Sequence, residues 1–166
     1  MYNAHHVSLG FMRFWHLLRY VWLLGIFSGV VAKGSLKLAL SDDFIDFNMS
    51  LWKHQITLRG GGGSEFEYYT NNRSNSFVKG GWLHIQPTKL AEMIGEQDVR
   101  SGFTFDIWGS SPADLCTSNE ASGCLKTSGA DKKYLNPISS ASLRTVESFS
   151  FVYGKVEVRA KLPRGD

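Results

Sequence analysis

Two cysteines, four prolines and a formal charge of only +3 are the sparse quantities in these 166 residues. Each scarcity closes off a class. Two cysteines cannot build a structural zinc site without well-placed histidines, and the histidines show no metal-like spacing: His5 and His6 lie near the start, while His54 and His84 stand alone. Few prolines beside 17 glycines exclude a collagen-like chain, and 43% apolar with 13% aromatic residues argue against disorder. Lysine and arginine are scattered, so counterion release would drive nucleic-acid binding only weakly, and no nucleic-acid partner is expected. No cofactor is expected either.

What is present divides unevenly. Residues 1–32 differ from all that follows: Arg13, His16 and Arg19 sit among aromatics, and Tyr20 to Ala32 is an unbroken run of apolar and small residues. That run has the length of a signal-peptide core and is short for a membrane span. Val30 and Ala32 supply small side chains where a signal peptidase looks. The alternatives are an uncleaved membrane anchor, the only route to a membrane partner, and a start misplaced upstream of Met12. Residues 33–41 read as a linker and 42–166 as the folded part. Secretion gives meaning to two glycosylation triplets, at Asn48 and Asn72, and to Cys116 and Cys124, whose eight-residue spacing suits a loop-closing disulfide. Of the triplets, Asn48 is the better acceptor, because a glycan on Asn72 would crowd the surface proposed below for ligand.

From Asp42 the chain breaks into short β-type segments. Phe44 to Trp52 mixes aspartates with aromatics, Glu65 to Thr70 is an aromatic strand, and Gly80-Gly81 suits a two-residue hairpin turn ahead of Trp82 to Gln86. Val99 to Trp108 puts Phe103, Phe105 and Ile107 on one face. In Lys155 to Leu162, Val156, Val158, Ala160 and Leu162 are expected inward and the charged residues outward. The one candidate helix, Thr88 to Glu96, meets Gly95 at its end. A long Ser/Gly-rich connection, Gly109 to Pro137, carries both cysteines. Short strands without helical alternation argue for an all-β sandwich or barrel and against a parallel α/β sheet.

Sugar recognition uses aromatic rings against pyranose faces and Asn, Arg or carboxylates against hydroxyls, and all three types crowd into Glu65 to Asn75. Tyr68 and Tyr69 must leave a strand in opposite directions, so one can pack inward while the other meets ligand. Packing of both against the sheet is the alternative, and Trp82 and Trp108 share that ambiguity. Glu65 and Glu67 share a strand face and are the nearest thing to paired catalytic carboxylates. An i,i+2 spacing is also what any solvated strand face shows, and no third acid extends it, so the pair is set aside.

The blocks DDFIDFNMSLWKHQITLRGGGGSEFEYYTNNRSNSFVKGGWLHIQPT, DIWGSSPADLC, LNPISSASLRT and SFSFVYGKVEVRAKLPRGD occur in order between Asp42 and Asp166. Together they resemble the animal β-1,3-glucan-binding (Gram-negative-bacteria-binding) proteins and the related β-1,3-glucanases of glycoside hydrolase family 16. The resemblance implies a jelly-roll, concanavalin-like β-sandwich, incomplete in this chain, with β-1,3-glucan or a related polysaccharide as partner in a cleft. It fits a Cys116–Cys124 disulfide. It implies substrate-binding roles for Tyr69, Asn71 and Asn75 of the YYTNNR-x-N block and for Arg144 of the S-A-R-L-R-T block, where Ser142 replaces an arginine. The family's E-I-D-I-x-E strand, which carries its nucleophile and acid, has no counterpart here. The expectation is therefore a secreted glucan-recognition protein of innate-immune type with no catalytic residues in this chain. The alternatives are a truncated endo-β-1,3-glucanase and an adhesive protein that engages integrin through Arg164-Gly165-Asp166, a tripeptide better explained as the family's K-L-P-x-G-D turn.

Overall fold

The computed structural model describes residues 36–60, 65–109, 115–129 and 134–163, together with the backbone of residues 2–11. Among the described residues twelve strands dominate: β1 Tyr2–Phe11, β2 Lys37–Asp42, β3 Lys53–Gln55, β4 Glu67–Tyr69, β5 Ser76–Lys79, β6 Trp82–Ile85, β7 Thr88–Lys89, β8 Thr104–Asp106, β9 Leu125–Thr127, β10 Ile138–Ser140, β11 Ser142–Arg144 and β12 Gly154–Lys161. Two short helices, α1 Ala91–Ile94 and α2 Glu96–Arg100, follow β7. The chain is all-β in class, as expected.

The largest sheet runs β12-β1-β6-β5, with β2 also paired to β1. Its β5–β6 hairpin turns on Gly80 and Gly81 at φ +61° and +74°, which places Lys79 opposite Trp82. Two successive positive φ angles define the tight hairpin turn that glycine allows without strain. β1 pairs antiparallel with β12 along Asn3 to Phe11 and Gly154 to Lys161. The start of the segment read as a leader therefore contributes a strand, while its apolar run at 20–32 lies outside the described residues.

A core sits beside the smaller sheets. Leu58, Tyr68, Leu90, Val99 and Leu135 are buried together, with Phe103, Phe105 and Ile107 packed against them. Each fully buried leucine contributes about 1.5–3 kcal/mol of transfer free energy. The expected Phe103/Phe105/Ile107 face is thus confirmed, but its strand is shorter than the sequence suggests. Only Thr104–Asp106 pairs with β9, because Glu96–Arg100 coils into α2 and Gly102 turns the chain at φ +87°. The expected helix from Thr88 to Glu96 is shorter, since Thr88–Lys89 pair with β10 as β7 and Gly95, at φ +92°, ends α1 after Ile94 as anticipated.

Two other segments differ from expectation. Phe44 to Trp52 is a loop, because short polar side chains take its backbone donors: Asp42 Oδ1 accepts from Phe44 N at 2.8 Å, and Asn48 Oδ1 accepts from Ser50 N and Leu51 N. β2, Lys37–Asp42, takes in most of the 33–41 stretch read as linker, which pairs with β1 instead of standing free. The expected burial of one side of β12 is not found: all eight of its residues are exposed, Val156 and Val158 at 52% and 51%, and Leu162, just past the strand, at 72%, because among the described residues nothing covers that side.

Candidate carbohydrate-binding face

β4 decides the site by alternation. Tyr68 turns into the core, 5% exposed, and meets Phe105 edge-on at 5.3 Å between ring centroids. Burial pushes its phenol pKa up, and a hydrogen bond with Ser139 partly opposes the shift. Tyr69 turns the other way and remains half-buried. Its hydroxyl donates to Glu67 Oε1 at 3.0 Å, and its backbone exchanges two 3.0 Å hydrogen bonds with Thr57. The ring is thereby fixed from both ends.

Thr57 extends the line of β3, and β3 pairs antiparallel with β11. Period-two alternation puts Lys53, Gln55 and Thr57 on one face, so their partners Arg144, Ser142 and Tyr69 stand on that face too. The result is a polar row with Tyr69 at one end and Arg144 at the other. Ser142 Oγ donates to Gln55 Oε1 at 3.2 Å in its middle. Arg144 Nε is buried and has no hydrogen-bond partner among the described residues, an unusual state for so strong a donor.

The disulfide loop walls the Tyr69 end. Cys116 and Cys124 are joined with Cα atoms 5.7 Å apart, as the sequence suggested. Thr57 Oγ1 donates to Ser118 O at 2.8 Å, and Leu58 N donates to Gly123 O at 2.7 Å. Gly123 is obligatory there: a Cβ would fall 2.3 Å from Ser118 O and 2.4 Å from Thr57 Oγ1.

The other expected residues lie on the loop after β4. Asn71 is half-buried, adjacent to Thr70, whose N–H donates to Ser140 O at 3.0 Å. Asn72 is exposed; its Oδ1 accepts from Ser74 N and its carbonyl from Asn75 N and Ser76 N. The Arg73 guanidinium caps the Phe47 ring at 4.6 Å and ties the loop down. Asn48 is likewise exposed in a turn.

Asn75 is placed differently from its companions. It is 1% exposed, and its amide donates towards Gln86 O, Thr88 Oγ1 and Ser139 O while its oxygen accepts from Ser139 Oγ. It lies beneath the face and joins β5, β7 and β10. Lys53 and Gln55 are the residues that the sequence reading missed; the alternation through Lys-His-Gln-Ile is their only local signal. A cavity of about 810 Å³ lies beyond the other end of β4, and none of Tyr69, Asn71, Asn75 or Arg144 lines it.

No family model and no solved structure matches the chain. Curated relatives do. A β-1,3-glucan-binding protein of Penaeus monodon is 44% identical over 126 residues, 75% of this chain and 34% of that protein. One from Tenebrio molitor is 35% identical over 75% of this chain and 25% of its own length. Gram-negative bacteria-binding protein 2 of Drosophila melanogaster is 34% identical over 78% of this chain and 27% of its own. The chain thus spans about a third or less of the length of each. Over the part it shares with them, this chain belongs to the animal β-1,3-glucan-binding protein family.

Proposed function

We propose that the chain recognises β-1,3-glucan through the row from Tyr69 to Arg144. The observation that carries this reading is the pairing of a half-exposed, immobilised tyrosine ring with a buried guanidinium Nε–H that has no protein acceptor among the described residues. A pyranose stacked on Tyr69 would leave hydroxyls for Gln55, Ser142 and Lys53, and a ligand oxygen would satisfy Arg144. Asn71 borders the same end. Asn75 serves as the strut beneath it and Glu67 as the hydroxyl's anchor.

The wider setting is a jelly-roll of the glycoside hydrolase family 16 type, used for recognition, in a secreted protein of innate immunity. The joined cysteines favour an oxidising compartment, and the apolar run before Lys33 favours a leader. Asn48 and Asn72 are proposed glycan acceptors, both exposed. Co-sedimentation with insoluble β-1,3-glucan and with cellulose tests the reading. Retention on the first alone, reversed by soluble β-1,3-linked oligosaccharide, is the expected result; equal retention on both, or none, contradicts it.

A further inference from the structure

The cavity beyond β4 has the make-up of a second binding site. Its volume of about 810 Å³ lies within the range of ligand pockets. Two aromatic rings on its wall are held out towards solvent, Phe66 at 77% and Tyr134 at 65% exposure. Exposed rings of this size at the mouth of a pocket are a costly use of apolar surface unless something stacks on them.

The charges there select the ligand. Arg59 is paired with Glu120 at 2.8 Å, and Arg100 with Glu96 at 3.8 Å. Lys126 Nζ donates to Leu58 O and to Asn136 Oδ1. The three cations Arg59, Arg100 and Lys126 are offset by the carboxylates of Glu65, Glu96 and Glu120, so the cavity offers a phosphate or carboxylate no excess positive charge. A neutral polyhydroxylated ligand needs none. Arg100 also lies 5.9 Å over the Tyr134 ring and steadies it, while Asn136, donating to Glu65 O and Glu67 O, links the cavity wall to the strand that bears Tyr69.

We infer that this cavity is a second, independent site for a neutral β-linked oligosaccharide, so that one chain engages a polysaccharide at two points. The inference rests on the glucan reading above. Two weak sites on one rigid body raise retention on a polymer far more than affinity for a short oligomer, because the second contact is made at high effective concentration.

Calorimetric titration of the chain with a short β-1,3-linked glucose oligomer tests it. Two binding sites per chain are expected. The exposed-ring variant Phe66→Ala/Tyr134→Ala should remove one, and Tyr69→Ala the other, with unchanged thermal unfolding. Each single ring variant should weaken the second site about threefold to tenfold. One site, lost in Tyr69→Ala and untouched in the ring variant, overturns this inference while leaving the proposed function intact. One site, lost only in the ring variant, sustains the cavity and overturns the Tyr69 face. No binding of the oligomer by the parent chain overturns both.

Discussion

Asn75 and Ser139 hold each other by both ends. Asn75 Nδ2 donates to the Ser139 carbonyl at 3.1 Å, and Ser139 Oγ donates to Asn75 Oδ1 at 2.9 Å, both groups being buried. The same amide reaches Gln86 O and Thr88 Oγ1, so it ties the start of β5 to β7 and β10. Asn75→Ala should cost about 2–4 kcal/mol, because it strands buried polar partners as well as losing its own bonds. Urea denaturation measures this; a loss of glucan binding without a loss of stability would place Asn75 in direct contact with ligand instead.

Tyr68 makes stability fall in alkali. Its folded pKa lies above the ordinary value of 10.0, chiefly through burial. The unfolded chain therefore loses this proton first. The contribution is whole below pH 10.0 and is lost as pH rises from there through the folded pKa. Tyr68→Phe should flatten that decline, and phenolate absorbance should show one tyrosine titrating late in the parent chain.

The disulfide loop should matter to fold and site together. Cys116→Ser/Cys124→Ser removes a short-loop cross-link worth about 2–3 kcal/mol in the chain-entropy account. Gly123→Ala should be at least as damaging, by about 2–4 kcal/mol, because its Cβ would collide with Ser118 O and Thr57 Oγ1. Thermal unfolding of the two variants compares them; an unperturbed Gly123→Ala would contradict the placement of Thr57 against the loop.

Removal of residues 1–32 takes β1 away from β12, β2 and β6. Open strand edges beside exposed Val156 and Val158 should then promote self-association, visible by sedimentation as a concentration-dependent rise in mass. A compact, concentration-independent monomer would show that β1 is dispensable to the sheet.

The sequence made the local features legible and the long-range ones only in part. Tyr68 and Tyr69 diverge because alternation requires it, and Gly80, Gly81 and Gly95 act as their backbone freedom predicts. The Cys116–Cys124 link was readable from spacing. Asn75 was not, since its burial depends on Ser139, sixty-four residues away, and nothing nearby signals that partner. Lys53 and Gln55 join Arg144 and Ser142 only through the β3–β11 register, which no local pattern specifies. The Asx-type turns at Asp42 and Asn48 overrode the β propensity of the Phe44 to Trp52 segment.

The most direct test of the glucan-binding face is titration of the parent chain and of Tyr69→Ala, Arg144→Ala and Arg144→Lys with a soluble β-1,3-linked glucose oligomer. Tyr69→Ala should remove detectable binding at the face, a loss of at least about tenfold. Arg144→Lys should not restore what Arg144→Ala loses, because ammonium lacks the planar fork that presents Nε–H. Unchanged affinity at the face in Tyr69→Ala and Arg144→Ala, with both variants folded, would contradict the account.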